Sequence, residues 1–254
     1  MKRYLPFPQP FRSLLYVPFL LCLVACAPSF TKSSNAVLLH VDGQIQEDQE
    51  YVDMLTPYKV KLDAEMGQVI ATGAKELKKN PGESTLGNLV ADMQKAYSDR
   101  AFGYHIDISI VNNGGLRNSL PEGNITLGNV YELAPFENVI YILELTADDV
   151  KRIAEYAIKG RNLGIAGLYV EGSKEEGLKK FTIAGKEVES DKHYILAIND
   201  YLANGGDHMD FLIPVPRLVE SGILLREMLL DQMREWTEAG RAIDAEIEGR
   251  QKLD

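Results

Sequence analysis

The positions of the two cysteines limit most strongly how this chain can be stabilised. Cys22 and Cys26 are the only cysteines among the 254 residues, and both lie in one apolar segment near the N-terminus. The remainder therefore has no thiol for a disulfide bridge, a thiolate nucleophile or a cysteine-ligated zinc site. With 45% hydrophobic and 25% charged residues, the chain has a globular composition, so its stability must come from an apolar core.

The N-terminal segment has the order of parts found in an export signal. Basic residues precede an apolar run at 14–25, which is too short to span a bilayer comfortably. The run ends in Leu23-Val24-Ala25-Cys26, which resembles a bacterial lipobox, where the cysteine is lipidated and becomes the new N-terminus. We expect a lipoprotein signal peptide over 1–25 and a tether over 26–36. An ordinary signal peptide and a buried apolar strand are the alternatives.

These features also predict where the protein resides. Lipidation of Cys26 would anchor an exported chain in the bacterial cell envelope, at the outer membrane or in the periplasm, with no membrane contact beyond the lipid.

The net charge is −10, from 37 acidic and 27 basic side chains, and no run of five basic residues occurs. Binding to a nucleic-acid backbone is therefore not expected, because phosphate contact needs clustered lysines and arginines.

Apolar periodicity predicts helices and strands in irregular alternation after the tether. Helical patterns cover 46–66, a segment beginning at Ser84 or Thr85, 146–159 and 217–238, and strand patterns cover 68–72, 106–111, 139–145, 167–170, 180–183, 194–198 and 242–247. This irregular order predicts one mixed α/β (α+β) domain over 37–254, with a mixed sheet and flanking helices, rather than a regular parallel fold.

Motifs for self-contained catalysis are missing from the sequence. The four histidines are scattered, with no His-x-His pair and no His-Glu-x-x-His helix, and there is neither a nucleophile elbow nor a phosphate-binding loop. A two-metal phosphatase needs several His, Asp and Asn side chains that converge on two cations. We therefore expect no metal or other cofactor on this chain and no nucleotide hydrolysis by the purified protein.

Three turn-rich segments carry the candidate chemistry. In Val111-Asn112-Asn113-Gly114-Gly115-Leu116-Arg117, the glycines allow a tight turn whose amides face a ligand, and Arg117 adds a cation. Phe136, between Pro135 and Glu137, could form a stacking platform. In the segment 199–208, Tyr201 offers a second ring, and Asp207 offers a carboxylate for ribose hydroxyls. Read singly, the segments could also be a plain strand–turn connection, a core-plugging aromatic and an ordinary turn.

Taken together, the three segments predict a nucleoside site. Two aromatic rings can sandwich a flat base, asparagines can read its edge, and Asp207 can hold the sugar. These segments also carry a family resemblance. Four motifs resemble, in order, the C-terminal domain of 5′-nucleotidases: Thr85-Leu86-Gly87-Asn88-Leu89, Asn113-Gly114-Gly115-Leu116-Arg117, Pro135-Phe136-Glu137-Asn138 and Tyr201-Leu202-Ala203-Asn204-Gly205-Gly206-Asp207. The likeness covers about 37–250.

The resemblance implies a role for six residues. In that family this domain grips the nucleoside, while a separate N-terminal metallophosphatase domain holds two metals and cleaves the phosphate. The matching substrate-binding positions are Asn112, Arg117, Phe136, Asn138, Tyr201 and Asp207. The second stacking aromatic is usually Phe in the family. Because stacking needs the ring alone, we expect Tyr201→Phe to be nearly neutral for nucleoside binding.

Two departures from the family pattern shape the functional expectation. Family members carry an Arg shortly before the Leu-Gly-Asn helix, where this chain has only Lys78 or Lys79 as a substitute. The roughly twenty residues between Cys26 and the first helix are too few for a metallophosphatase domain. We therefore expect one half of a split enzyme, with divalent metals only on a separate metallophosphatase chain. The alternatives are a non-enzymatic nucleoside- or nucleotide-binding lipoprotein and, less favoured, a degenerate structural module.

Overall fold

The computed structural model describes residues 34, 36, 38, 42, 43, 45–160 and 162–253. The chain divides into a unit of residues 1–49 and a compact unit of residues 50–254. The predicted signal peptide, its lipidation site Cys26 and most of the tether lie outside the described residues. Among the helices that are described, none is both long and apolar enough to cross a membrane.

The described part of the chain contains six helices and ten strands. The helices are α1 (Gln49–Met66), α2 (Thr85–Phe102), α3 (Leu127–Leu133), α4 (Ala147–Gly160), α5 (Asp200–Ala203) and α6 (Leu225–Glu238). The strands are β1 (Val69–Gly73), β2 (Ile108–Asn112), β3 (Gly123–Thr126), β4 (Val139–Leu145), β5 (Leu163–Ala166), β6 (Leu168–Ser173), β7 (Gly177–Ile183), β8 (Tyr194–Asn199), β9 (Arg217–Leu224) and β10 (Gln251–Leu253). Short 3₁₀ turns follow α5 at Gly206–His208 and Asp210–Leu212.

Three sheets organise these strands. The main sheet has five strands in the order β5-β2-β8-β4-β9, and the smaller sheets are β1-β3 and β10-β6-β7. Within the main sheet β2 and β8 run parallel, while the other neighbours are antiparallel. In the three-stranded sheet β10 is parallel to β6, and β7 is antiparallel to β6. The predicted mixed α/β fold is therefore confirmed.

The main sheet is covered on both faces. Every residue of β2 is buried, and alternate side chains point to opposite faces. Ile108 and Ile110 join a core with residues of α4, whereas Val111 joins a second core with residues of α2 and α6. A strand buried on both faces is expected to be apolar on both. The exceptions in β2 are Ser109, which is bonded to Gln94 of α2 at 2.9 Å, and the terminal Asn112.

Helix α2 lies unusually close to β5. Ser84 caps the helix, and its hydroxyl accepts the amide of Gly87 at 3.0 Å. A Cβ atom on Gly164 of β5 would lie 2.5 Å from the carbonyl oxygen of Gly87 and 2.7 Å from its Cα. Because the obstacle on both sides is backbone, only glycine allows this approach, and it brings the start of α2 beside the turn after β2.

Two sequence predictions near the C-terminus are wrong. The predicted helix over 217–238 begins as a strand: β9 pairs with β4 through Val219 and Ile142, and α6 starts only at Leu225. Gly222 lies within β9, and its φ of +68° is outside the range of a right-handed helix. The predicted strand over 242–247 is reduced to a single bridge between Ile243 and Gly73, while the closing strand lies at 251–253.

Helix α1 confirms the helix predicted over 46–66, but its surroundings differ from those of a packed amphipathic helix. The apolar stripe expected over 46–66 is present, but no residue of α1 is buried. Six of its large apolar side chains are 54–74% exposed, namely Tyr51, Met54, Leu55, Tyr58, Val60 and Leu62. The stripe on α1 therefore adds nothing to the two cores of the described fold.

The close approach of α2 and β5 yields a test of the packing. We expect Gly164→Ala to lower the free energy of unfolding by about 1–3 kcal/mol, since neither backbone can move away without shifting the core. Chemical denaturation measures the effect. The control is Gly160→Ala at the end of α4, where a Cβ would meet the ring of Tyr156 at an ordinary 3.5 Å. Equal stability of the two variants would contradict the proposed crowding.

Candidate functional site

The site forms where two parallel strands end side by side. Asn112 is the last residue of β2, and Asn199 is the last residue of β8. The side-chain amide of Asn199 donates to the Oδ1 atom of Asn112 at 3.2 Å, and both residues are buried. This bond holds the glycine turn after β2 against the segment after β8, so two of the three predicted segments meet at one sheet edge.

The segment after β8 turns outward through a short capped helix. Asn199 is the N-cap of α5, and its Oδ1 atom accepts the amide of Leu202 at 2.9 Å. Leu202 and Ala203 point into the core, whereas Tyr201 is 46% exposed. The cap thus fixes which way α5 faces and presents the ring of Tyr201 to solvent.

One cavity of about 620 Å³ brings all six predicted site residues together. Its lining consists of Asn112, Gly114, Gly115, Arg117, Phe136, Glu137, Asn138, Tyr201 and Asp207. Phe136 is 49% exposed, so it does not plug the core. The guanidinium of Arg117 lies 6.0 Å from the centroid of the Phe136 ring. The arrangement combines two exposed aromatic rings, a cation and a carboxylate in one cleft.

Asn138 is held by a neighbouring carboxylate. Its Nδ2 atom donates to Oδ1 of Asp200 at 3.0 Å, and the same oxygen accepts the amide of Val139 at 3.1 Å. Because the amide nitrogen faces Asp200, the Oδ1 atom of Asn138 points away from that carboxylate as an acceptor.

Asp207 is the most constrained residue of the site. Its φ of +52°, followed by +66° at His208, places two successive non-glycine residues in the left-handed region. The Tyr156 hydroxyl donates to the Asp207 carbonyl oxygen at 2.8 Å, and the Asp207 amide donates to the Tyr201 hydroxyl at 3.2 Å. These two phenols hold the backbone in a conformation that it would otherwise avoid.

The carboxylate of Asp207 is bonded on both oxygens. Oδ1 accepts the Tyr201 hydroxyl at 2.9 Å, and Oδ2 accepts the side-chain amides of Asn112 at 2.9 Å and Asn162 at 3.4 Å. Asn112, predicted to contact substrate, therefore lines the cavity and also orients Asp207. The expectation of a neutral Tyr201→Phe change did not allow for these contacts, because the hydroxyl is bonded to Asp207 twice.

A second cavity of about 880 Å³ adjoins the first and shares Gly114, Tyr201 and Asp207 with it. Lys79 lies on its wall, where the ammonium donates to the carbonyl of Leu116 at 2.6 Å. Lys78 instead forms an ion pair with Glu76 at 2.7 Å. Of the two lysines proposed from the sequence, Lys79 is thus the one beside the site.

Sequence reasoning missed two residues that shape the site. Tyr156 lies near the end of α4 and Asn162 just before β5, about fifty residues from Asp207 in the chain. Neither belongs to a recognisable motif, so no local pattern indicates their role. The pKa of the Tyr156 phenol is raised, first because the ring is partly buried and then because the negative charge of Asp207 is close.

The raised pKa of Tyr156 leads to a pH-dependent prediction. We expect Tyr156→Phe to lower the stability of the folded chain at neutral pH by about 0.5–1.5 kcal/mol, since one hydrogen bond is lost. A raised folded-state pKa contributes stability below the unfolded pKa of about 10 and loses it as the pH rises through the folded value. Thermal melts across alkaline pH should therefore show the gap between parent and variant closing above pH about 10. A constant gap would contradict this interpretation.

The described donor groups around the cleft do not form a metal-binding cluster. Among the described residues, no three His, Cys, Asp or Glu side chains lie close enough together to hold a metal ion. The acidic residues of the cleft, Glu137 and Asp207, have no histidine partner in the lining of that cavity. The described residues therefore do not fit a two-metal centre, which needs several converging His, Asp and Asn side chains.

Comparison with known proteins places this geometry in a family. The family model for the 5′-nucleotidase C-terminal domain matches residues 42–213. The chain belongs to this family. The match includes α1 and the segments that carry all six predicted site residues, and it confirms the family resemblance of the four motifs.

Longer proteins contain the matching region. The trifunctional nucleotide phosphoesterase protein YfkN of Bacillus subtilis is 26% identical over 87% of this chain, which spans 16% of that protein. The cell wall protein Lmo0130 of Listeria monocytogenes is 28% identical over 66% of this chain and 23% of its own length. The 5′-nucleotidase precursor of Thermus thermophilus superposes with a TM-score of 0.68 at 26% identity, over 82% of this chain and 43% of its own. The chain thus spans less than half of each.

Proposed function

We propose that this chain is the nucleoside-recognition part of a split 5′-nucleotidase in the bacterial cell envelope. The base binds between Phe136 and Tyr201, the ribose binds at Asp207, and a separate metallophosphatase chain hydrolyses the phosphate ester. The observation that carries the proposal is the presence of two half-exposed aromatic rings and an immobilised carboxylate on one cavity.

The cavity suits a nucleoside in size and chemistry. Its volume of about 620 Å³ lies within the range of small-molecule pockets. A stacked base contributes about 1–3 kcal/mol per aromatic contact, and a carboxylate accepts hydroxyl hydrogens more strongly than a neutral acceptor. Arg117 above the ring of Phe136 is placed to favour a negatively charged ligand such as a nucleotide.

This chain lacks the arginine that family members carry before the Leu-Gly-Asn helix, so fewer cations are available to bind a phosphate group. Lys79 borders the adjoining cavity and already donates to backbone carbonyls, so it replaces the missing arginine only in part. We therefore propose that the chain itself recognises mainly the nucleoside, and that the partner chain and its metals supply phosphate affinity.

Family membership and the absence of a metal-binding cluster among the described residues support the division between two chains. The relatives named as phosphoesterase and 5′-nucleotidase extend well beyond the matched region, so the rest of those chains is available to supply other functions. A non-enzymatic binding lipoprotein remains the second candidate, because the described donor groups form no metal cluster. Either role requires the same nucleoside site.

The ring of Phe136 gives the direct test of this site. We expect Phe136→Ala to weaken adenosine binding by about 1–3 kcal/mol, because one stacking surface is removed. Calorimetric titration measures the loss. Since Phe136 is 49% exposed, melting temperatures without ligand should change little.

The matched control is an aromatic residue outside both cavities. Tyr58→Ala on α1 removes a ring that is 74% exposed and should leave adenosine affinity unchanged. If Phe136→Ala binds adenosine as tightly as the parent does, the stacking site is wrong. Equal weakening by both variants would point to an indirect effect of lost aromatic surface.

A recovery experiment separates the split enzyme from the binding lipoprotein. The native chain is extracted from its membrane with mild detergent, purified and assayed for AMP hydrolysis with added Mn²⁺. Activity that accompanies the parent chain, and that is reduced when the chain carries Phe136→Ala, supports the split enzyme. Absence of hydrolysis from a preparation that still binds adenosine supports the non-enzymatic role.

The envelope location is proposed from the N-terminal segment and from the relative named as a cell wall protein. We expect Cys26→Ser to abolish lipidation, because the thioether to the diacylglycerol requires a thiol. Metabolic labelling with a radioactive fatty acid measures this, with Cys22→Ser as the matched control that should still be labelled. Label retained on the Cys26→Ser chain would overturn the lipoprotein assignment.

A further inference from the structure

The tyrosine hydroxyl at position 201 changes what the neighbouring carboxylate can bind. An ionised carboxylate has about four positions for hydrogen-bond donors, two on each oxygen. In Asp207, Oδ2 already receives two donors, the amides of Asn112 and Asn162. Oδ1 receives one donor, the hydroxyl of Tyr201 at 2.9 Å. About one acceptor position therefore remains, and it lies on the same oxygen that Tyr201 occupies.

The hydroxyl of Tyr201 is not free to leave this position without loss. It donates to Oδ1 of Asp207 and also accepts the Asp207 backbone amide at 3.2 Å. That amide belongs to a residue with φ of +52°, whose carbonyl is held by Tyr156. Displacing the hydroxyl would release two hydrogen bonds of a strained backbone, so a ligand gains more by using the open position.

We propose that the Tyr201 hydroxyl makes Asp207 selective for a single ribose hydroxyl. The inference rests on the proposed nucleoside site and adds to it a specificity determinant. A ribose carries two adjacent hydroxyls, and an unoccupied carboxylate can receive both. Here the phenol takes the place of one, so only one sugar hydroxyl bonds to Oδ1 while the ring of Tyr201 stacks on the base.

The test compares adenosine with its two monodeoxy forms on the parent chain. Calorimetric titrations are run with adenosine, 2′-deoxyadenosine and 3′-deoxyadenosine. Loss of the hydroxyl that bonds to Oδ1 should weaken binding by at least about tenfold, as expected for a hydrogen bond to a charged acceptor. Loss of the other hydroxyl should change affinity by less than about threefold. Because this comparison uses the parent chain alone, no substitution can disturb the fold and change the result.

The same titrations on Tyr201→Phe assign the effect to the hydroxyl. The variant keeps the ring for stacking and opens a second position on Oδ1, so both sugar hydroxyls can bond. We expect the affinity ratio between the two deoxynucleosides to fall to within about threefold of one. The control Tyr104→Phe, at a residue that lines neither cavity, should keep the ratio of the parent.

The outcomes separate this inference from the proposed function. If the parent binds adenosine but loses equal affinity with either deoxynucleoside, the single-hydroxyl inference is overturned while the nucleoside site stands. An unchanged ratio in Tyr201→Phe likewise overturns the role of the hydroxyl. If the parent binds none of the three compounds, the proposed function itself is overturned. A large ratio in the parent that disappears in Tyr201→Phe supports the inference.

Discussion

The parallel pairing of β2 with β8 is the constraint on which the rest of the site depends. It is the only parallel contact in the main sheet of the described chain, and it sets the carboxyl ends of the two strands side by side. A relay of hydrogen bonds through the side-chain amides of Asn199 and Asn112 connects the strand ends to Asp207. The backbone amide of Leu202 donates to Asn199, the side-chain amide of Asn199 donates to Asn112, and that of Asn112 donates to Asp207. The buried end of the sheet thereby fixes a carboxylate at the protein surface.

The side-chain amides of Asn112 and Asn199 are buried, and their hydrogen bonds offset the cost of removing them from water. A buried amide without a partner costs about 1–3 kcal/mol, whereas a paired amide costs little and defines a unique orientation. Asn112 uses both ends of its amide, and Asn199 uses both as well. The left-handed backbone at Asp207 is retained in the same way, by phenols from α4 and α5. The carboxylate of Asp207 is therefore oriented before any ligand binds.

Sequence patterns predicted the parts of this fold whose signals are local. Strand β4 was predicted at its observed bounds because its apolar run is flanked by polar residues, and α2 followed from its cap at Ser84. The six cleft residues were predicted because they stand in short motifs. The segments β3, α3 and β5 were not predicted, since they are only four to seven residues long and are defined by pairing and by the Thr126 cap.

The remaining differences arise from tertiary context. The residues of β9 have helix-compatible apolar spacing, but the open edge of β4 provides a partner that periodicity cannot reveal. Tyr156 and Asn162 reach Asp207 because α4 ends and β5 begins beside the end of β2, where Leu163 pairs with Asn112. The ring of Tyr201 could be predicted from its motif, whereas its hydroxyl bonds depend on the left-handed turn at Gly205 and Asp207.

The exposed helix α1 has a mechanical consequence. Since none of its side chains is buried, α1 is helical without support from core packing, and interactions within the helix such as the Lys59–Asp63 ion pair stabilise it. Pro57 removes one backbone hydrogen bond. An 18-residue helix spans about 27 Å, while the same segment fully extended spans about 60 Å. Unwinding α1 would remove no side chain from either core, and it would roughly double the end-to-end length of Gln49–Met66.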